Sequence, residues 1–197
     1  MMMRYLNSYK KIYENKQDID SICERYGITN YTINSDGSVD IDGDVHLYSK
    51  NLSKLPLNFN IVSGNFNCSH NQLTSLEHCP SEIGGDFSCH NNKLTSLEHC
   101  PSEVGGGFYC SYNELTSLEY CSQQIGGDFY CTGNPVDFIV RGFIRSDNKN
   151  EWVELFNDID IIQGNKVIYD RLVWFYEEIG IRLPDIFAIS SHYKIIK

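Results

Sequence analysis

Apolar residues recur at a fixed interval of 21 positions through the middle of the chain. The stretch "IGGDFSCHNNKLTSLEHC" (83–100) returns as "VGGGFYCSYNELTSLEYC" (104–121), with its phenylalanine, asparagine, leucines and cysteines in the same places. The columns that keep this step are Phe66, Phe87, Phe108 and Phe129; Cys68, Cys89, Cys110 and Cys131; Asn71, Asn92, Asn113 and Asn134; Leu73, Leu94, Leu115 and Val136; Leu76, Leu97, Leu118 and Ile139; and Cys79, Cys100 and Cys121. A constant period of this length is typical of a solenoid.

Polar and apolar residues also alternate within each copy, as in "DFSCH" (86–90). This alternation predicts a half-buried strand, with Phe87 and Cys89 facing the core and Asp86, Ser88 and His90 facing the open side. The asparagine column is expected at the following bend, where its side-chain amide can bond backbone groups. Glycines before each strand are expected to form a return corner, and the proline of "CPSE" ends the segment after the leucines. The interior residues must match because each rung, meaning one 21-residue copy, buries its apolar side only against its neighbours.

The pattern predicts an α/β repeat solenoid with a parallel sheet and about five rungs of 21 residues, from residue 41 to residue 139. The first rung is degenerate, although Ile41, Val45 and Leu47 remain in phase with the later copies. Solenoid ends expose apolar rungs and need lids. We therefore expect residues 1–40 to form a helical and hairpin cap, and residues 140–197 to form an α-rich cap.

Both terminal segments contain helix and strand patterns of their own. Before the repeats, "YTINSDGSVDIDGDVHLYS" (31–49) predicts a hairpin that turns at residues 35–37. At the end of the chain, "HYKII" (192–196) predicts a strand. The predicted helices are "YLNSYKKIY" (5–13), "QDIDSICERYG" (17–27, ending at Gly27), "NPVDFIVRGF" (134–143), "NEWVELFNDI" (150–159) and "VIYDRLVWFYEEIG" (167–180).

Charge narrows the classes of partner. The formal net charge is −10, and between residues 62 and 132 Lys93 is the only basic residue beside eight acidic ones. Nucleic acids are bound through clustered Lys and Arg, so we expect the chain to bind neither nucleic acid nor an anionic membrane. No apolar run approaches the ~18–20 residues that cross a bilayer. The N-terminus also lacks a signal-peptide core, so a cytoplasmic location is expected.

Seven of the eight cysteines lie in the two repeated columns. We interpret them as small buried apolar residues, and a reducing cytoplasm disfavours a disulfide ladder. Zinc remains an alternative, because "EHC" at 77–79 and at 98–100 supplies suitable ligand types, but adjacent residues would have to converge on one point. A catalytic cysteine is disfavoured because every candidate in the repeats belongs to a structural column. We therefore expect no metal, no cofactor and no catalytic residue.

Calcium is a second open alternative. Asp36, Asp40, Asp42 and Asp44 place carboxylates at nearly alternate positions, but a full calcium loop with glutamate at its twelfth position is missing. The charged residues after the repeats form no recognisable acid–base pair or triad, which favours a protein that is not an enzyme.

The alternation leaves three columns on the open face of the sheet. These are Asp44, Asn65, Asp86, Gly107 and Asp128; His46, Asn67, Ser88, Tyr109 and Tyr130; and Tyr48, Ser69, His90, Ser111 and Thr132. Tyrosines gather toward one end, where Tyr112 and Tyr120 are expected to join them, and tyrosine suits protein recognition. The predicted partner-binding residues are Asp86, Ser88, His90, Tyr109, Asp128 and Tyr130.

The segment "LTSLEHCPSEIGGDFSCHNNKLTSLEHCP" (73–101) resembles leucine-rich repeats of bacterial and phage origin. It looks like the short cysteine-containing arrays of "LTSLEGCP" type found in tailed phages and environmental bacteria, over residues 41–139. It is also similar to the "LTSLP" repeats of secreted bacterial effectors that carry a ubiquitin-ligase domain. Here residues 140–197 are too few for that domain and contain no cysteine, which removes the ligase inference.

The resemblance implies a leucine-rich-repeat-like fold and a binding role of a general kind. The leading hypothesis is a non-enzymatic protein–protein interaction module that binds a partner through the exposed face of the repeat sheet. The alternative is a structural virion or assembly component of a phage, whose terminal segments mediate packing. If the chain is phage-encoded, its expected location is the host cytoplasm or the virion.

Overall fold

The computed structural model describes residues 16–140 and 149–197 of the chain. Its middle is a parallel-sheet solenoid of about four turns, in which residues 21 positions apart lie side by side. Phe87, for example, is in register with Phe66 on one side and with Phe108 on the other. The predicted parallel solenoid with a 21-residue step is therefore confirmed.

Two sheets run along the solenoid, and the four turns separate the five parallel strands of each sheet. The parallel strands of sheet A are β2 (Val39–Ile41), β4 (Phe59–Val62), β6 (Glu82–Ile83), β8 (Glu103–Val104) and β10 (Gln124–Ile125), and β1 (Tyr31–Ile33) is its antiparallel edge strand. Sheet B consists of β3 (Val45–His46), β5 (Phe66–Asn67), β7 (Phe87–Ser88), β9 (Phe108–Tyr109) and β11 (Phe129–Tyr130). The prediction of a single sheet after a corner was incomplete, because the residues before the glycines form strands of sheet A. There Ile83 is buried while Glu82 is exposed, so even a two-residue strand separates its inner and outer sides.

The interior is filled by the repeated columns. The rings of Phe66, Phe87, Phe108 and Phe129 follow one another with centroid separations of 6.2, 4.9 and 5.4 Å. Phe87 and Cys89 have no exposed surface, as the alternation predicted. The columns therefore form one continuous core that runs along the solenoid axis.

The asparagine column joins each rung to the preceding one. The Asn113 side-chain amide donates to the carbonyl oxygens of Cys89 (3.1 Å) and Cys110 (3.0 Å), and its Oδ1 accepts from the Leu94 backbone N–H (3.0 Å). Asn134 makes the corresponding bonds one rung further on. The predicted role of asparagine at the bend is confirmed, with the added finding that each side chain spans two rungs.

At the corner between the two sheets, the glycine backbone of each rung packs directly on the backbone of the preceding rung. A Cβ placed on Gly105 would lie 2.2 Å from the carbonyl oxygen of Gly84, and one on Gly126 would lie 2.2 Å from that of Gly105. Such distances leave no room for any side chain. Glycine is required here by the close approach of successive rungs.

The N-terminal segment covers the first rung. Helix α1 occupies residues 16–26 and places Ile19 and Cys23 in the core, and Gly27 follows it with a φ of +66°. β1 (Tyr31–Ile33) pairs antiparallel with β2, which confirms the predicted hairpin. The helix predicted at residues 5–13 lies outside the described residues.

The C-terminal segment combines helices with a small third sheet. The helices are α2 (Asp137–Val140), α3 (Lys149–Asp158), α4 (Tyr169–Glu178) and α5 (Ile186–Ser190), and the sheet contains β12 (Ile162–Gln163), β13 (Lys166–Ile168) and β14 (Lys194–Ile196). The helix predicted at 167–180 begins only at Tyr169, because Val167 and Ile168 belong to β13 between β12 and β14. The strand predicted at 192–196 is confirmed as β14, and residues 141–143 of another predicted helix lie outside the described residues.

Side chains of this segment bond carbonyl groups near the last rung. The Asn157 amide donates to the Leu118 carbonyl (3.0 Å), and the Tyr193 hydroxyl donates to the Thr116 carbonyl (2.6 Å). The Asn150 amide donates to the Ile125 carbonyl (3.3 Å). These bonds satisfy backbone acceptors near the end of the repeats. In the described part of the chain, no helix is long and apolar enough to cross a membrane.

Candidate functional site

The candidate site is the outer face of sheet B. Strands β7, β9 and β11 are neighbours, so the structure brings all six predicted partner-binding residues onto one face. Asp86, Asp128 and Tyr130 are exposed, whereas Ser88, His90 and Tyr109 are partly buried. The face is therefore formed by side chains that are partly held in place by their neighbours.

The first exposed column is a ladder of hydrogen bonds rather than a row of free side chains. The Asn65 backbone N–H donates to Asp44 Oδ1 (2.6 Å), and the Asp86 N–H donates to Asn65 Oδ1 (2.7 Å). The Gly107 N–H then donates to Asp86 Oδ1 (2.7 Å). Each of these three side chains accepts a hydrogen bond from the next rung, so this part of the column is constrained as well as exposed. The acceptor is a side-chain oxygen, which either Asp or Asn supplies.

Gly107 interrupts this ladder and makes room for Tyr109. A Cβ on Gly107 would lie 2.4 Å from the Tyr109 hydroxyl oxygen, so the phenol occupies the place of the missing side chain. The Tyr130 ring stacks on that of Tyr109, with centroids 5.7 Å apart and planes 10° apart. Gly107 and Tyr109 are thus a matched pair. The sequence carried this signal, since the glycine appears in an otherwise polar column in the rung where tyrosine replaces Ser88 of the previous rung.

The Tyr109 hydroxyl lies in an acidic environment. The pKa of Tyr109 is raised by partial burial, then by the carboxylates of Asp86 and Asp128, and then by Tyr130. The phenol therefore remains protonated at neutral pH and can act as a hydrogen-bond donor.

A second group of aromatic rings borders the face at its other end. His90 Nδ1 lies 3.0 Å from Ser88 Oγ, and the rings of His70 and His90 meet edge to face with centroids 5.0 Å apart. The Tyr48 ring contacts His70 in the same way, also at 5.0 Å. Burial and the neighbouring His70 lower the pKa of His90, so His90 is neutral at neutral pH.

His70 was missed by the sequence-based prediction because it belongs to none of the three exposed columns. It lies at a bend with a φ of 54°, and the equivalent residues Asn91 and Tyr112 have φ values of 53° and 55°. Gly133 continues this left-handed column with a φ of 79°. Asn91 and Gly133 in this column were the sequence signal for a left-handed bend, because asparagine and glycine tolerate that conformation.

Two further tyrosines lie at bends of the rung that contains Tyr109. Tyr112 packs closely on Gly133, where an added Cβ would lie 2.7 Å from its ring. Tyr120 lies at a different bend of the same rung, beside Glu119. Tyr120 therefore lies before β10 of sheet A rather than on sheet B, whereas the expectation that Tyr112 extends the tyrosine cluster stays a prediction.

The structure does not assemble the candidate metal ligands. Asp36 accepts from the Ser38 N–H and hydroxyl, and Asp40 accepts from the Asn60 amide. In the repeats, His78 and His99 each lie near the glutamate that precedes them, at 4.0 and 3.8 Å. Within residues 16–140 and 149–197, no group of three or more His, Cys, Asp or Glu side chains could hold a metal ion.

The cysteine columns lie inside the solenoid as free thiols. Burial raises the pKa of Cys68 to about 12 and that of Cys100 to about 11. Burial also raises the pKa of Cys89 and Cys110 well above the usual value. These groups are therefore protonated and poorly nucleophilic at neutral pH, as expected of structural cysteines.

We expect the five fully buried thiols to react with a disulfide reagent such as DTNB only when the protein unfolds. They are Cys23, Cys68, Cys89, Cys110 and Cys131. The measurement is the number of thiols modified with time at pH 8, with and without guanidinium chloride. Since eight cysteines less these five leaves three, rapid modification of more than three native thiols would contradict the burial of the columns.

No protein-family model, no curated protein and no solved structure matches this chain. The solenoid is therefore established by its own strand register and by the 21-residue repeat. A relationship to leucine-rich repeats is a proposal that rests on the sequence resemblance.

Proposed function

We propose that the chain is a non-enzymatic module that binds a protein partner through the outer face of sheet B. The observation that carries this proposal is the stacked pair of Tyr109 and Tyr130 on that face. Tyrosine rings offer a large contact area and a polar tip, and few rotatable bonds are immobilised when they bind. Because Tyr109 is supported by Gly107 and by the neighbouring ring, this surface is already organised before a partner arrives.

We further infer a relationship to the leucine-rich-repeat arrays of bacterial and phage origin. It is supported by the 21-residue period and by the asparagine at each bend. A reducing compartment is supported by the eight cysteines, all of which are free.

Replacing Tyr109 and Tyr130 together with alanine is expected to abolish capture of a specific protein partner while the fold survives. Both side chains lie on the outer face, so their loss removes contact area without opening the phenylalanine core. The measurement is affinity capture from the native host followed by mass spectrometry, with the thermal midpoint of each variant recorded.

Tyr120→Ala is the matched control, because Tyr120 is 57% exposed but lies away from this face. The control should capture the same partner as the unmodified chain. An identical capture profile for the double variant and the unmodified chain would refute the proposal.

A second candidate is a structural component of a particle that packs through its terminal segments. It is favoured by Phe187 in α5, whose side chain is 88% exposed, and by Trp174 in α4, which is 47% exposed. Large exposed apolar side chains often mark contact surfaces. This candidate would be favoured over the first if the chain cofractionates with assembled particles and not with a soluble partner.

A further inference from the structure

We propose that the segment bound by sheet B carries arginine side chains, which stack on Tyr109 and Tyr130 and pair with the carboxylates of Asp86 and Asp128. This inference rests on the proposed function and names the chemistry of the partner. The surface concerned, Asp86, Tyr109, Asp128 and Tyr130, is called the acidic tyrosine patch below.

The patch is a row in which a phenol stands between two carboxylates. Asp86, Gly107 and Asp128 occupy successive positions of one column, and the Tyr109 hydroxyl fills the place of the absent side chain at Gly107. Adjacent parallel strands are about 4.8 Å apart, so the Asp86 and Asp128 positions are separated by roughly 10 Å. The contribution of both carboxylates to the raised pKa of Tyr109, after that of burial, is consistent with this arrangement.

The three columns assigned to the outer face of sheet B, all of which lie within the described residues, contain no lysine or arginine. The Gly107 N–H bonds Oδ1 of Asp86, and the Asp86 side chain is exposed at the surface of the face. The surface is therefore complementary to a positively charged partner.

The aromatic pair selects arginine among positively charged groups. A guanidinium is planar, stacks on aromatic faces and donates two parallel hydrogen bonds to a carboxylate. A calcium ion requires six to eight converging oxygens, which two carboxylates about 10 Å apart cannot supply. An ammonium group would gain the charge interaction but not the planar stacking.

The shape of the face favours an extended segment over a globular surface. Sheet B is only a few residues wide, since its strands contain two residues each, and its five strands span about 19 Å along the axis. A polyproline II segment advances about 9.3 Å in three residues. Arginines three positions apart in such a segment would therefore lie opposite Asp86 and Asp128.

The test uses a fluorescein-labelled peptide, Gly-Gly-Arg-Pro-Pro-Arg-Gly-Gly, and the full chain. Its affinity is measured by fluorescence anisotropy in low-salt buffer. We expect saturable binding that weakens at least about 10-fold when both arginines are replaced by citrulline, the neutral isostere. The variant carrying Asp86→Asn and Asp128→Asn should weaken binding to a similar extent, because asparagine keeps the oxygen that accepts the Gly107 N–H and removes only the charge.

The matched control carries Glu82→Gln and Glu103→Gln, which make the same change in net charge on the exposed side of sheet A. This control should bind the arginine peptide as the unmodified chain does. Equal affinity for the citrulline peptide, or an equal loss in the sheet A control, would overturn the arginine proposal. If the arginine peptide fails to bind but alanine at Tyr109 and Tyr130 still abolishes partner capture, the arginine inference fails and the proposed function stands.

Discussion

Replacing Asn113 with leucine is expected to destabilise the protein by about 2–4 kcal/mol, because the Leu94 N–H loses its partner and two carbonyls each lose one of two donors. The Cys89 carbonyl keeps its bond from Asn92, and the Cys110 carbonyl keeps its bond from Asn134. The Leu94 N–H and the carbonyls of Cys89 and Cys110 all bond the Asn113 amide, whose residue is only 6% exposed. A buried polar group without a partner costs about 1–3 kcal/mol. Leucine has a similar volume and cannot replace any of these bonds. The free energy of unfolding is measured by urea denaturation followed by circular dichroism.

Asn91→Gly is the matched control for this substitution. Asn91 lies at a bend with a φ of 53°, where glycine is readily accommodated, and its side chain makes a long 3.4 Å hydrogen bond with His70 Nε2. The control should therefore change stability by less than about 1 kcal/mol. A comparable loss in both variants would mean that the asparagine column does not hold the rungs together.

Replacing Gly105 with alanine is expected to destabilise the protein by about 3 kcal/mol. The new Cβ would lie 2.2 Å from the Gly84 carbonyl oxygen, a contact that only a backbone movement can relieve. Alanine restricts the unfolded chain and would by itself stabilise the protein by about 0.4–1 kcal/mol. The steric cost is larger, because the atoms that the new Cβ meets belong to the Gly84 backbone and cannot rotate away. Gly126 of the next rung also packs directly on the Gly105 carbonyl. The same urea titration measures the effect.

Ser63→Ala is the control at the equivalent position of the first full copy. Ser63 already carries a Cβ, and its hydroxyl makes exposed bonds with Asp42 Oδ1 (3.0 Å) and the Gly43 N–H (2.9 Å). Losing these bonds should cost about 1 kcal/mol or less. If alanine at position 105 proved as harmless as alanine at position 63, the close stacking of the corner would be refuted.

Much of the interior could be predicted from the sequence because every rung repeats the same packing problem. Phe87 and Cys89 were assigned to the core from alternation alone, and the structure places both there with no exposed surface. Sheet A was missed because its central strands, such as Glu82–Ile83, lie directly before a pair of glycines. A glycine pair suggests a turn rather than a strand.

The candidate face was harder to predict, because its details depend on contacts between rungs. Exposure of Asp86 and Tyr130 followed from the strand pattern, but the bond from the Gly107 N–H to Asp86 required the register of neighbouring rungs. His70 reaches the face only because its bend adopts a left-handed conformation. A side-chain direction of this kind depends on local backbone geometry rather than on polarity, so polarity patterns do not reveal it.

The division between inside and outside has a consequence for function. Interior residues are constrained by stacking, and part of the outer face is constrained by the ladder of Asp44, Asn65 and Asp86. The tyrosines of the last two rungs depart from this regular pattern. We expect these tyrosines to contact a partner, because binding residues are often irregular features held on a rigid scaffold.

The central claim is that residues 21 positions apart lie side by side in parallel strands, and solution NMR tests it most directly. Nuclear Overhauser effects between backbone protons report pairs of residues on neighbouring strands. The account predicts cross-strand effects that connect residues around Phe66 with those around Phe87, and those around Phe87 with those around Phe108, in a parallel pattern. An antiparallel pattern, or contacts at a spacing other than 21, would contradict the solenoid and every inference drawn from its faces.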